Sequence, residues 1–189
     1  MDKSEKIKAF VSLTNFGMVV EDAPSSNYFS DQAVLFIKSL SAKNDFSDRE
    51  IVRIGTRSFF IAGRKESFED LKKKYLENFL ELKPNAIKIF GSNPVDVGAP
   101  FNFIVNKSEA FNTMSGPMER EQMKKFLKPI KIYNDDKLPK QGLYFEIDYF
   151  TQNVGRIKEE ELESIVRSNI EKSAGIFERF KKTILDLEN

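Results

Sequence analysis

Arg53 and Arg57 interrupt an otherwise apolar run, Ile51-Val52-Arg53-Ile54-Gly55-Thr56-Arg57-Ser58-Phe59-Phe60-Ile61. Side chains alternate along an extended strand, so both arginines point to one face together with Ile51, Gly55 and Phe59. Guanidinium groups among apolar neighbours need partners. A second segment, Tyr144-Phe145-Glu146-Ile147-Asp148-Tyr149-Phe150, offers them: Glu146 and Asp148 share one face, and Phe145, Ile147 and Tyr149 the other. In a functional reading the arginines hold an anionic group in a sheet groove shaped by the two carboxylates. In a structural reading the same four residues pair across the sheet, or simply face solvent. Glu146-x-Asp148 is also a spacing that could hold Mg²⁺ in a nuclease-like site. No third acid or catalytic lysine stands at a recognisable spacing to complete it.

The chain has no histidine, cysteine or tryptophan. Imidazole-based triads, thiol nucleophiles, Cys/His zinc sites and disulfides are therefore excluded. Neither the Walker pattern nor G-x-G-x-x-G occurs, so no phosphate-cradling loop and no cofactor is expected. Net charge is +1, from 30 basic and 29 acidic residues. That balance lowers the case for a nucleic-acid partner without removing it. Basic clusters at Lys72-Lys73-Lys74, at Lys124-Lys125 with Lys128 and Lys131, and at Arg179, Lys181 and Lys182 read as solvated helix faces, because acids are interleaved among them. No apolar run approaches the ~20 residues that span a bilayer. The stretch Met1 to Phe10 lacks the apolar centre of a secretory signal. The expectation is a cytoplasmic protein with no membrane association.

The elements that position these residues follow from periodicity. Residues 7–20 read as a strand, with Gly17 marking a bulge, and Asp22 to Asn27 as a turn. Residues 30–43 tolerate a strand, but Ser30-Asp31 as a start and Asn44 as a stop favour a helix. The strand over 50–62 carries the arginines. Ser67 then opens a helix whose stripe is Phe68, Leu71, Tyr75, Leu76, Phe79 and Leu80, with Lys72-Lys73-Lys74 turned outward. A short strand is expected over 86–90. Phe101–Val105 and Ala110–Met114 form a hairpin closed by Ser115-Gly116-Pro117. A short helix over 118–126, a strand over 129–133 and a turn at Asn134-Asp135-Asp136 come next. The strand over 143–150 carries the carboxylates. A helix over 157–187 completes the chain, with Leu162, Ile165, Val166, Ile170, Phe177, Phe180, Ile184 and Leu187 as its stripe. At 1.5 Å per residue it spans ~45 Å, long enough for one end to project or to meet another subunit.

Two of these segments carry a resemblance. Arg53-Ile54-Gly55-Thr56-Arg57-Ser58-Phe59 resembles the R-[VI]-G-x-R-Y-x-N strand of a sporadically distributed prokaryotic family of uncharacterised proteins. Tyr144–Phe150 and Ile176-Phe177-Glu178-Arg179-Phe180 resemble that family's acidic C-terminal strand and the end of its long helix. Ser58 and Phe60 depart from its pattern. The resemblance implies a prokaryotic or phage-like origin and marks Arg53, Arg57 and Asp148, but it brings no activity.

The order of strands and helices predicts one α+β domain over residues 1–189: an antiparallel or mixed sheet with helices packed on one face and a long C-terminal helix. The leading functional expectation is a non-catalytic binding or regulatory protein, an accessory subunit of a mobile-element or defence system, with a protein partner or a second copy of itself. Phenylalanines on both strand faces would supply the surface. The first alternative is a small anionic ligand held between sheet and C-terminal helix, with Arg53 or Arg57 as anchor. The second is a metal-dependent hydrolase or nuclease using Glu146 and Asp148.

Overall fold

The computed structural model describes residues 7–12, 14–21, 23–43, 49–82, 94–128 and 137–185. The strands expected over 86–90 and 129–133, the turn at 134–136 and Leu187 lie outside these residues. The architecture is α+β. A four-stranded antiparallel sheet runs in the order β3 (Ile51–Gly63), β6 (Gln141–Gly155), β5 (Glu109–Glu119), β4 (Ala99–Ile104). A separate hairpin pairs β1 (Ile7–Val11) with β2 (Phe16–Val20). Four helices are described: α1 (Ser26–Ser41), α2 (Phe68–Lys74), α3 (Arg120–Leu127) and α4 (Glu159–Leu185).

Alternation on β6 decides how the layers stack. Leu143, Phe145, Ile147 and Tyr149 face α2 and α4, where they are buried with Leu71, Tyr75, Phe177, Phe180 and Ile184. Tyr144 faces the other way and is buried under α3 with Met123, Leu127 and Leu138. A third cluster, Ile37, Ile54 and Leu162, ties α1 to β3 and the start of α4. Buried residues recur along α4 from Leu162 to Ile184. Asn169 and Ser173 are buried in that stripe; Asn169 Nδ2 donates to the Ile54 carbonyl (3.3 Å) and Ser173 Oγ to the Asn169 carbonyl (2.7 Å).

Several local expectations change for identifiable reasons. The stretch 7–20 is a hairpin, because Ser12 N donates to Asn15 O (2.7 Å) and reverses the chain. Gly17 is no bulge. It lies opposite Phe10, whose ring would be 2.7 Å from an added Cβ, so glycine gives the ring its seat. Helix α1 starts at Ser25, whose hydroxyl accepts from Tyr28 N (3.1 Å). Ser30 is buried instead and accepts from Arg167 Nη1 (2.8 Å). Ser67 caps α2 as expected, accepting from Asp70 N (3.1 Å). Helix α2 then widens into a π-helical turn over Tyr75–Phe79, with Leu80 N donating to Tyr75 O (3.2 Å). Lys72 turns inward: it is 6% exposed, and its Nζ donates to Pro94 O (3.0 Å) and pairs with Glu69.

Ser115-Gly116-Pro117 does not close the hairpin but continues β5 beside β6. Val105 N donates to Glu109 O (2.9 Å), which sets odd-numbered residues of β5 facing β4. The nitrogen of Pro117 therefore points past the end of β4, and no ladder bond is lost. A Cβ on Gly116 would stand 2.3 Å from the Val97 carbonyl oxygen. Backbone cannot swing aside as a side-chain tip can, so Gly116→Ala should destabilise the fold by about 1–3 kcal/mol, read as a lower denaturation midpoint at unchanged m-value.

Candidate functional site

The four residues singled out in the sequence do come together, on the sheet face turned away from α4. On β3 and β6, Arg57 lies directly opposite Asp148 and Gly55 opposite Phe150. Each arginine nonetheless reaches diagonally. Arg53 Nη2 donates to both Asp148 oxygens at 2.7 Å. Arg57 Nε and Nη2 engage Glu146 Oε1. The diagonal reach of Arg53 explains the glycine between the two arginines. The guanidinium lies flat over Gly55, where an added Cβ would meet its Nη1 at 2.7 Å, and it stacks 4.3 Å over the Phe150 ring. The Arg-x-Gly-x-Arg spacing is thus a cradle in which the first arginine crosses the glycine to find its carboxylate.

The two pairs differ in burial. The Arg53 and Asp148 side chains are 45% and 28% exposed, so their pair is a solvated one, worth about 0–1 kcal/mol. Glu146 is only 11% exposed at its side chain, although Arg57 is 60% exposed. The second oxygen of Glu146 accepts from Tyr144 Oη (3.0 Å). Burial first, then the Glu146 carboxylate, pushes the Tyr144 hydroxyl far above its ordinary range, so it stays protonated and donates. Tyr144 is the member of this site that the sequence reading missed. Its signal was available, since it stands two residues before Glu146 on the same strand face.

Glu146 and Asp148 are each held by a guanidinium, and among the described residues no group of three or more metal-ligating side chains gathers. The arginines are likewise not where the anion hypothesis needed them. An open groove of ≈ 560 Å³ does lie between the end of β6 and the first turns of α4, but Gln152, Asn153, Ile157, Glu160, Glu161 and Ile165 are among its walls, and neither arginine is. The two glutamates in that lining oppose an anion. Acids are interleaved in two of the basic clusters, where Lys124 pairs with Glu121 (2.8 Å) and Lys181 with Glu178 (2.6 Å), whereas Lys72 of the third is buried and Lys131 lies outside the described residues.

A second polar cluster escaped the sequence because its members are far apart in the chain. Glu109 accepts from Lys172 Nζ (2.7 Å), Tyr149 Oη (3.2 Å) and Asn106 Nδ2 (3.3 Å), on the helix-covered face. The Lys172 hydrogen bond, outweighing burial, holds the Glu109 carboxyl below its ordinary value of 4.5. A depressed folded-state pKa contributes stability above the unfolded value and loses it as pH falls through the folded one. The stability gap between the native chain and Glu109→Gln should therefore be full at neutral pH and close as pH drops below about 4.5, measured by denaturant titration across pH.

Beside that cluster lies an aromatic row. Tyr149 stacks on Phe111 (5.6 Å between centroids), Phe111 on Phe103 (4.5 Å), and Phe103 lies 6.0 Å from Phe101. The row ends on β4, an edge strand whose residues from Pro100 to Ile104 are all exposed, with Ile104 at 87%. No protein-family model, curated protein or solved structure matches the chain. No described helix is long and apolar enough to cross a membrane.

Proposed function

We propose that this chain is a non-catalytic binding protein that recognises a protein partner through the edge strand β4. The observation that carries the reading is that edge. A strand at the margin of a sheet offers unpaired backbone groups, and natural sheets commonly protect such margins with charge. Here Phe101, Phe103 and Ile104 stand exposed, and no charged residue occurs from Val97 to Asn106. The opposite edge, β3, carries Arg53 and Arg57. Both of those cations are already met by carboxylates, which weighs against anion capture and against Glu146 and Asp148 serving as open ligands. The test compares the native chain with Ile104→Lys as immobilised bait in extract of cells that carry the gene. A stoichiometric partner retained by the first and lost by the second is expected. Equal retention would move recognition elsewhere, and turnover abolished by Asp148→Asn would replace this reading with an enzymatic one.

A further inference from the structure

We propose that the partner on β4 is a second copy of this chain, the two β4 strands pairing antiparallel about a two-fold axis at Asn102 to make one continuous sheet. The inference rests on β4 being the recognition surface and adds the identity of its occupant. Backbone direction supplies the first argument. Odd-numbered residues of β4 bond inward to β5, as Val105 N does to Glu109 O, so Pro100, Asn102 and Ile104 turn their backbone groups outward. Centred on Asn102, an antiparallel copy satisfies them: the two Asn102 residues exchange N–H and C=O, and each Ile104 N–H meets the other chain's Pro100 carbonyl. Pro100 is the one outward position that lacks a donor, and this register asks it only to accept.

The side chains agree with the same register. Phe101 falls opposite the second copy's Phe103 at a non-hydrogen-bonded pair, where side chains approach most closely. The row Tyr149–Phe111–Phe103 would then continue across the axis. Charge supplies an independent argument. The neutral stretch is bounded by Asp96 on one side and Lys107 on the other. The register sets Lys107 of the second copy opposite Val97, one residue from Asp96, at both ends of the pairing. An isologous interface needs such a self-complementary strip.

The chain lacks cysteine, so a single introduced thiol reports on the axis without interference. In a hydrogen-bonded antiparallel pair the Cα atoms stand about 5.5 Å apart, inside the range a disulfide spans. Asn102→Cys is expected to form a covalent dimer on mild oxidation. Asn112→Cys, exposed on the same face but one strand inward, is expected to stay unlinked. Light scattering of the native chain should give twice the 21.8 kDa chain mass, and Ile104→Lys should give the single mass with unchanged circular dichroism. A native chain that is monomeric at every soluble concentration overturns the proposal. So does a dimer that survives Ile104→Lys while Asn102→Cys fails to link. A monomer whose edge-dependent partner is still captured from extract would leave β4 as the recognition surface and exclude the second copy. A monomer with no such partner would remove both readings.

Discussion

Replacing Phe145 by alanine should lower the free energy of unfolding by about 3–5 kcal/mol, the largest effect expected from a single truncation in this fold. Phe145 sits on β6, between β3 and β5, and is buried. Its ring stands 4.5 Å from Phe180 and 5.9 Å from Phe177, and Phe177 is itself stacked on Phe60 at 4.4 Å. The neighbours come from a strand and a 27-residue helix, neither of which can shift far enough to fill the space a lost ring leaves. The transfer loss and the cavity therefore add. Phe145→Leu, which refills part of the volume, should recover a substantial part of the loss. Denaturant unfolding followed by far-ultraviolet circular dichroism measures both. A loss under about 1 kcal/mol for the alanine variant would mean that the sheet and α4 are not packed as described.

The second large effect separates the two ion pairs. Arg57→Leu should cost about 1–3 kcal/mol, because it strands a mostly buried carboxylate with Tyr144 as its remaining bonded partner. The figure stays below that for a fully buried pair because Arg57 itself is more than half exposed. Arg53→Leu should cost about 0–1 kcal/mol, as solvated pairs do. Adding Glu146→Gln to Arg57→Leu removes the stranded charge and keeps an acceptor for the Tyr144 hydroxyl, so most of the loss should return. The four corners of that cycle give the coupling directly. An additive result, with no recovery in the double variant, would show that the two side chains do not act as a pair. If the doubly substituted chain also keeps its partner, the arginine–carboxylate lattice is scaffold and β4 alone carries recognition.

The parts of this fold that were legible in the sequence are those governed by short periods. Alternation put Arg53 with Arg57 on one face of their strand and Glu146 with Asp148 on one face of theirs, and the Ser67 cap and the α4 stripe followed from helix signals. Alternation failed where the ladder slips. The register shifts between Ile51 and Arg53, near Asn153 in a left-handed conformation. Ile51 consequently packs with the Ile54 cluster instead of sharing the arginine face, and Val52 is exposed. Lys72 was misread because its partner is a backbone carbonyl, Pro94 O, that no pattern around residue 72 announces. The Glu109–Lys172–Tyr149 cluster was invisible for the same reason: tertiary proximity joins residues that share no local signal. The diagonal reach of Arg53 needed the structure too, although Gly55 stood in plain view as the residue that permits it.

The three apolar clusters have a consequence for how the molecule comes apart. Ile37, Ile54 and Leu162 share no buried residue with the Phe145–Phe177–Phe180 core. Helix α1 can lift from β3 and α4, taking β2 with it through Phe16 and Phe36, while the sheet and the rest of α4 stay closed. Such a sub-global opening involves less buried surface than complete unfolding and is correspondingly cheaper. Amide protons of α1 should therefore exchange with deuterium well before those of β6, through a partly opened form in which the sheet's hydrogen bonds remain intact.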